Sequence, residues 1–275
     1  MPPPGEIPPS QIPDSGQIAG LHWESHGPQD GQPLILSAGL GGSGGYWLPN
    51  VPALVEAGYR VILYDHRGTG RSDRALPDVV TVDDLADDML ALIDGLGLPS
   101  AHVMGHAAGG VAGLALALKA PERIDRLVVV NGWARPDPHF VRCFDARLAI
   151  LHGAGAEAYL KAQPIFLFPA TWISQNHARL EEETRHHLAH FPGAATMEKR
   201  IAALRAFDIG YRLGDISTPL LALASKDDML VPYTASSFAN AVPGGAQALM
   251  DWGGHACNIT DPKTFIHLVS AFLRS

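Results

Sequence analysis

The chain has 275 residues, of which 47% are hydrophobic and 17% charged, a globular balance that supports a large buried core. Its formal net charge is −8 and it carries no basic run, which argues against nucleic acid or an anionic membrane surface as the main partner. Cys143 and Cys257 are too few for a disulfide framework and suit a reduced, cytoplasmic protein.

The first residues, MPPPGEIPPSQIPDSG, lack the cationic start and apolar centre of a secretory signal, and their prolines predict a loose arm over residues 1–17. No apolar run approaches the length of a membrane span. Ile18 to Ser25 and Pro33 to Ser37 read as strands joined by a GPQDG turn, and Gly39 to Gly45 forms a glycine-rich end to the second. Tyr59 to Asp65 is continuously apolar, the pattern of a strand buried on both faces of a parallel sheet. Thr81 to Leu96 is a helix with Thr81 and Asp84 as a capping box; Val82, Leu85, Met89, Leu92, Ile93 and Leu96 recur at helical spacing. A strand at Ala101 to Met104, a helix at Ala108 to Lys119 and a strand at Arg126 to Val130 continue the alternation.

The alternation stops at about Ala134. Through Tyr211 the pattern is helical, and strand, helix, strand, helix resume over Pro219–Ala224, Tyr233–Ala241, Ala246–Met250 and Asp261–Leu273. The expected architecture is an α/β fold with a mostly parallel, doubly wound sheet: a core of residues 18–133 and 212–275, interrupted by a helical cap over residues 134–211. Phe166, Phe168 and Trp172 read as packing residues of that roof.

The chemistry centres on MGHAAGG, Met104 to Gly110, where a strand leads into a helix. This is the context of the nucleophile elbow G-x-S-x-G of α/β hydrolases, in which nearly side-chain-free neighbours let the chain make a strained turn. Gly105 and Gly109 match, but the nucleophile position holds Ala107. Asp228 in KDDMLVP and His255 in GGHACN follow in the order elbow, acid, histidine. Asp227 is the rival acid; the spacing of Asp228 to Val231 and Pro232 favours Asp228. Gly39-Leu40-Gly41-Gly42 follows a core strand, and the backbone N–H groups of Leu40 and Ala108 are the expected oxyanion donors.

Other motifs read as structural. GTG in DHRGTGRSD lacks the Gly-Lys-Ser/Thr ending of a phosphate loop, and Asp65 and Arg67 there are expected in local ion pairs. His186, His187 and His190 have no matching carboxylates, so no metal is expected, and Cys257 reads as packing.

Several stretches resemble the RutD family of bacterial pyrimidine degradation: GLGGSGGYWLP, YDHRGTG, GHAAGG, VNGW, RCFDAR, AQPIFLFPATW, LAHF, DDMLVP and GGHACNITDPKTF. Those within the cap are the most specific, because the fold alone does not dictate them. The resemblance implies uracil catabolism, with carbamate or 3-aminoacrylate as substrate, no cofactor, and alanine as the natural residue at position 107. A small-molecule substrate is the expected partner, and a homodimer is compatible with the chain. Asn131, Trp133, Arg135, Arg142, Arg147 and Asn258 are candidates for orienting substrate, an arginine suiting a carboxylate or carbamate. Two alternatives remain open: a binding protein on a hydrolase fold, and an esterase or C–C hydrolase whose serine was replaced.

Overall fold

The computed structural model describes residues 14–275. Most of the expected arm, residues 1–13, therefore lies outside the described residues. Its boundary moves, however, because Asp14–Ile18 forms strand β1, paired antiparallel with Leu21–His26, strand β2. Ala19 and Gly20, with φ of 49° and 80°, make the tight turn between them.

The other strands are β3 (Gln32–Ser37), β4 (Tyr59–Tyr64), β5 (Ala101–His106), β6 (Ile124–Val130), β7 (Leu220–Ser225) and β8 (Ala246–Met250). They form one eight-stranded sheet in the order β1-β2-β4-β3-β5-β6-β7-β8, parallel from β4 to β8. The GPQDG turn does not make a hairpin. Strand β4 inserts between β2 and β3, pairing antiparallel with the first and parallel with the second. Strand β3 thus becomes an interior strand, which accounts for its apolar sequence.

Alternate residues of the central strands feed two cores. Ile35, Val103, Leu127 and Val129 pack toward α2 (Val82–Gly95) and α3 (Ala108–Lys119). Leu34, Leu36, Met104, Val128 and Val130 pack on the other face with residues of α1 (Val51–Glu56) and of the C-terminal helix, Pro262–Leu273. The capping box of α2 forms as expected: the Thr81 hydroxyl accepts from the Asp84 N–H at 3.2 Å, and the Asp84 carboxylate accepts from the Thr81 N–H at 2.7 Å. Tyr233–Ala241, expected as a helix, is a 3₁₀ helix.

Between β6 and β7 run α4 (Pro138–Leu167), α5 (Ala170–Gln175), α6 (His177–Ala189) and α7 (Ala194–Ala206). Gly155, at φ 81° and ψ −177°, breaks α4 into two helical lengths. Leu151, Tyr159, Leu160 and Met197 give this helical segment a small core of its own. It also touches the loops at the C-terminal ends of the strands: the Ala256 N–H donates to the Leu167 carbonyl at 3.0 Å, and the His139 imidazole to the Met229 carbonyl at 2.8 Å. The C-terminal part of the chain is completed by α8 (Cys257–Thr260) and α9 (Pro262–Leu273).

Among the glycines of the described residues, the closest approach of backbone to backbone lies where β5 meets α3. A Cβ at Gly105 would stand 2.2 Å from the carbonyl carbon of Gly109, and a Cβ at Gly109 would stand 2.3 Å from the Ser37 carbonyl oxygen. Backbone atoms cannot yield as a flexible side-chain tip can. Gly105→Ala is therefore expected to cost at least about 3 kcal/mol, the upper range for overpacking. Gly153→Ala, where a Cβ meets nothing within 4 Å, should be neutral or stabilising by up to about 1 kcal/mol. Urea unfolding midpoints of both variants check this, and equal midpoints would contradict it.

Candidate active site

The elbow geometry follows from that close packing. Ala107, between β5 and α3, sits at φ 46° and ψ −108°, a region costly for any residue with a Cβ. Its N–H donates to the Val130 carbonyl at 2.8 Å, and its own carbonyl accepts from the Val111 N–H at 2.9 Å. The strained turn is thus held from both sides, with only a methyl group at its tip.

Ala108 opens α3, so its N–H belongs to the first helical turn and has no acceptor within the helix. Gly39 to Gly42 form a turn closed by a Gly42 N–H to Gly39 carbonyl bond of 3.0 Å. A Cβ at Gly39 would lie 2.8 Å from the His106 Nδ1, which explains a glycine at that point of the loop.

The acid and the histidine come together. Asp228 and His255 form a hydrogen bond of 2.7 Å between Oδ2 and Nδ1, with side-chain exposures of 0% and 2%. The other carboxylate oxygen, Oδ1, accepts from the N–H groups of Leu230 at 2.7 Å and Val231 at 3.0 Å, so the DMLVP turn fixes the acid. An ionised carboxylate at Nδ1 requires the proton there, leaving the lone pair of a neutral imidazole on Nε2. Among the described residues, no protein group takes up that Nε2. Asp227, the rival acid, plays a scaffold part. Its Oδ1 accepts from the Ser225 hydroxyl at 2.6 Å and from the Gly254 N–H at 2.8 Å, tying the end of β7 to the loop that carries His255.

His106, within the elbow motif but not singled out from the sequence, supports the same loop. Its Nε2–H donates to the His255 carbonyl at 2.8 Å, and its ring lies edge-on to the His255 ring at 4.6 Å and stacks on Tyr46 at 4.8 Å. Burial, with His255 beside it, holds its pKa well below the ordinary histidine value, so it is a neutral spacer. Its buried Nδ1 has no partner among the described residues.

The residues expected to orient substrate take varied positions. Asn131, at φ 49° and buried, donates to the His255 carbonyl at 2.7 Å and accepts from the Ser225 N–H at 3.0 Å. Asn258 donates to the Asn50 side chain at 3.0 Å and accepts from the Tyr46 hydroxyl at 2.6 Å. Both amides are committed to the scaffold. Trp133 is buried against Phe140, with ring centroids 4.3 Å apart. Arg147 is boxed by Phe144, Tyr159 and Phe166 and donates to the Tyr159 hydroxyl at 2.8 Å. Arg135 and Arg142 are both exposed.

Instead, Arg200 of α7 brings a charged group onto the expected oxyanion loop, its Nε–H donating to the Leu40 carbonyl at 3.1 Å. With Leu40, Leu85, Ala108, Ala203 and Leu204 it lines a narrow crevice too tight to admit a water molecule. A larger hollow of about 530 Å³, bounded by Gln32, Ser100, His102, Asp125 and Arg126, opens where β3, β5 and β6 begin. That is the far end of the strands from the elbow. Ligands of open α/β sheets bind outside the carboxyl ends of the strands, so this hollow lies away from the end expected to bind substrate. Asp65 pairs with Arg71 at 2.9 Å and Arg67 with Asp88 at 2.7 Å, ion pairs that brace the DHRGTGRSD turn. The described residues contain no group of three or more His, Cys, Asp or Glu side chains placed to hold a metal, and no helix long and apolar enough to cross a membrane.

A family profile described as the alpha/beta hydrolase fold matches residues 32–262. A Caulobacter sp. (strain K31) protein named "Putative carbamate hydrolase RutD" is 54% identical over 262 residues, covering 94% of this chain and 97% of its own length. The protein of the same name from Agrobacterium fabrum is 47% identical over 256 residues, covering 92% and 98%. Among solved structures, the enol-lactonase from Burkholderia xenovorans LB400 superposes with a TM-score of 0.84 at 25% identity, covering 95% of this chain and all (100%) of its own. A hydrolase from Pseudomonas aeruginosa PA01 gives 0.84 at 27% identity, covering 96% and 98%.

Cys257, two residues beyond His255, is fully buried, and burial with Asp228 nearby pushes its thiol up to about 12. At pH 8 it is protonated and shielded, and so a poor nucleophile. Iodoacetamide at pH 8 is expected to leave Cys257 unmodified in the native protein and to alkylate it in urea, as read by peptide mass spectrometry; native-state alkylation would contradict the assignment.

Proposed function

The chain belongs to the α/β-hydrolase fold family and, within it, to the RutD proteins, and from this we propose that it hydrolyses a small C–N compound of uracil catabolism, carbamate or 3-aminoacrylate. The observation that carries the mechanism is a buried His255–Asp228 pair, 2.7 Å apart, in a site whose elbow residue is Ala107.

With a methyl group at the elbow no acyl-enzyme forms, and water must be the nucleophile. The water stands over Ala107 and gives its proton to Nε2 of His255, while Asp228 holds the ring and stabilises the imidazolium. The water oxygen bonds to the carbon that bears nitrogen, and the C–N bond then breaks. Ammonia departs with the proton held by His255. With carbamate the Leu40 and Ala108 amides receive the negative charge that develops on the oxygen. For carbamate the products are bicarbonate and ammonia; for 3-aminoacrylate, C2 first takes a proton from solvent, water adds to C3 of the resulting iminium, and the carbinolamine releases ammonia to leave malonic semialdehyde.

Both compounds also decay unaided, so the decisive quantity is the rate above background at matched pH and buffer. His255→Ala is expected to lower that catalysed rate about 100-fold or more, the range for loss of a general base. Asp228→Asn should slow it as well by releasing the imidazole tautomer, and Cys257→Ser should leave it unchanged. If His255→Ala retains the full enhancement, the dyad is not catalytic, and a binding role for the fold becomes the better reading.

The alanine at the elbow gives a second expectation. Fluorophosphonate probes should leave the protein unlabelled and ester substrates should not turn over; a stoichiometric adduct in the intact mass would place a nucleophile that this mechanism lacks.

A further inference from the structure

Arg200 is 3% exposed, and among the described residues its hydrogen bonds all go to uncharged acceptors. Nε–H donates to the Leu40 carbonyl at 3.1 Å, Nη1–H to the Arg67 carbonyl at 3.3 Å and Nη2–H to Nδ1 of His66 at 2.9 Å. The carboxylate of Asp88 acts on it from a distance and is itself bonded to Arg67 at 2.7 Å. Burial lowers the Arg200 pKa to about 10, so the guanidinium still carries its charge at neutral pH. A buried cation without a paired anion costs free energy, and its presence calls for a compensating role.

Its partners identify that role. Arginine only donates, so Nδ1 of His66 must be a bare acceptor. Burial with Arg200 alongside keeps His66 neutral, so its proton resides on Nε2 and is donated to the Ser37 hydroxyl at 3.0 Å. Ser37 in turn shares a hydrogen bond of 2.8 Å with the Tyr64 hydroxyl. This chain of bonds lies directly beneath the elbow, because the backbone of Gly109 presses on Ser37. On its other side Arg200 reaches the loop after β3: a Cβ at Gly42 would lie 3.1 Å from Nη2, and the Leu40 carbonyl takes Nε–H. One side chain, carried by a helix of the segment between β6 and β7, therefore touches the oxyanion loop and the floor of the elbow together.

We propose that Arg200 is a positioning residue of the hydrolytic site: its fork fixes the Leu40–Gly41 peptide, next to the one that carries the Leu40 N–H, and locks His66 in the Nε2–H tautomer, holding the oxyanion loop in register with the elbow. The consequence for rate rests on the hydrolytic reading above; the consequence for His66 does not. Lysine offers three donors from a single point and cannot span three acceptors in the plane of a guanidinium.

The test uses the full chain with Arg200→Lys and Arg200→Met, each verified as folded by its urea midpoint. The ¹⁵N shifts of the His66 ring should report a single Nε2–H tautomer in the unaltered chain and a tautomer mixture in both variants. The catalysed decay of carbamate and 3-aminoacrylate should fall about 10- to 100-fold in kcat, with KM changed far less, since loss of an aligned oxyanion donor acts on the transition state. Methylguanidine added to Arg200→Met should restore part of the rate. An unchanged tautomer and an unchanged kcat in Arg200→Lys would overturn the proposal, as would a single Nδ1–H tautomer in the unaltered chain. If the unaltered chain shows no catalysed rate, the hydrolytic reading fails and the tautomer measurement still decides the role of Arg200. If Arg200→Met does not fold, Arg200→Lys carries both readouts.

Discussion

Strand β5 can run into α3 only because Gly105 and Gly109 have no side chains, and this single crossing organises the site. A Cβ at Gly105 would stand 2.2 Å from Gly109. With the backbones this close, the connecting residue is forced to φ 46°, and whatever side chain it bears is presented at the C-terminal edge of the sheet. The same crossing presses Gly109 onto Ser37 and so fixes α3 relative to β3, whose following loop carries Leu40. Strain at one residue is compatible with a stable fold because the surrounding ladder over-determines it.

The His255–Asp228 pair is assembled by a second layer of contacts that carry no chemistry of their own. The His255 carbonyl receives hydrogen bonds from His106 at 2.8 Å and Asn131 at 2.7 Å, while Asp227 holds the adjacent Gly254 N–H at 2.8 Å. Three segments distant in sequence thus grip the two residues that begin the histidine loop. A ring held this way does not have to be ordered when a substrate arrives, which is the condition under which fixed dipoles and bases are most effective.

Much of this is legible in the residues. The elbow glycines, the order of acid and histidine, the capping box at Thr81 and the continuous apolar strands each have a local physical cause, and local causes leave local patterns. Asp228 is preferred to Asp227 from its spacing to Val231 and Pro232, and the bonds from the Leu230 and Val231 amides show why that spacing matters. What escapes a sequence reading is what depends on contacts remote along the chain. Arg200 meets His66 across 134 positions, and His106 meets His255 across 149, so no periodicity records either pairing. His106 at least lies inside a motif that stands out. Strand β1 escapes for a different reason: an edge strand with one solvent-facing side reads as polar chain, and the prolines before it bias the reading toward an arm. Asn131 and Asn258 stand out as polar groups near the site, but their amides satisfy buried backbone and side-chain partners instead.

The methyl group at Ala107 also sets which reactions are closed to such a site. A serine hydrolase passes through a covalent stage, and during that stage any acceptor able to reach the ester, an alcohol or an amine as readily as water, competes for the acyl group. Attack by free water has no such stage. In the proposed reaction the bond to oxygen and the departure of nitrogen belong to one encounter, with no modified protein left waiting between them. On the mechanism proposed above, there is therefore no acyl-protein stage for such an acceptor to intercept.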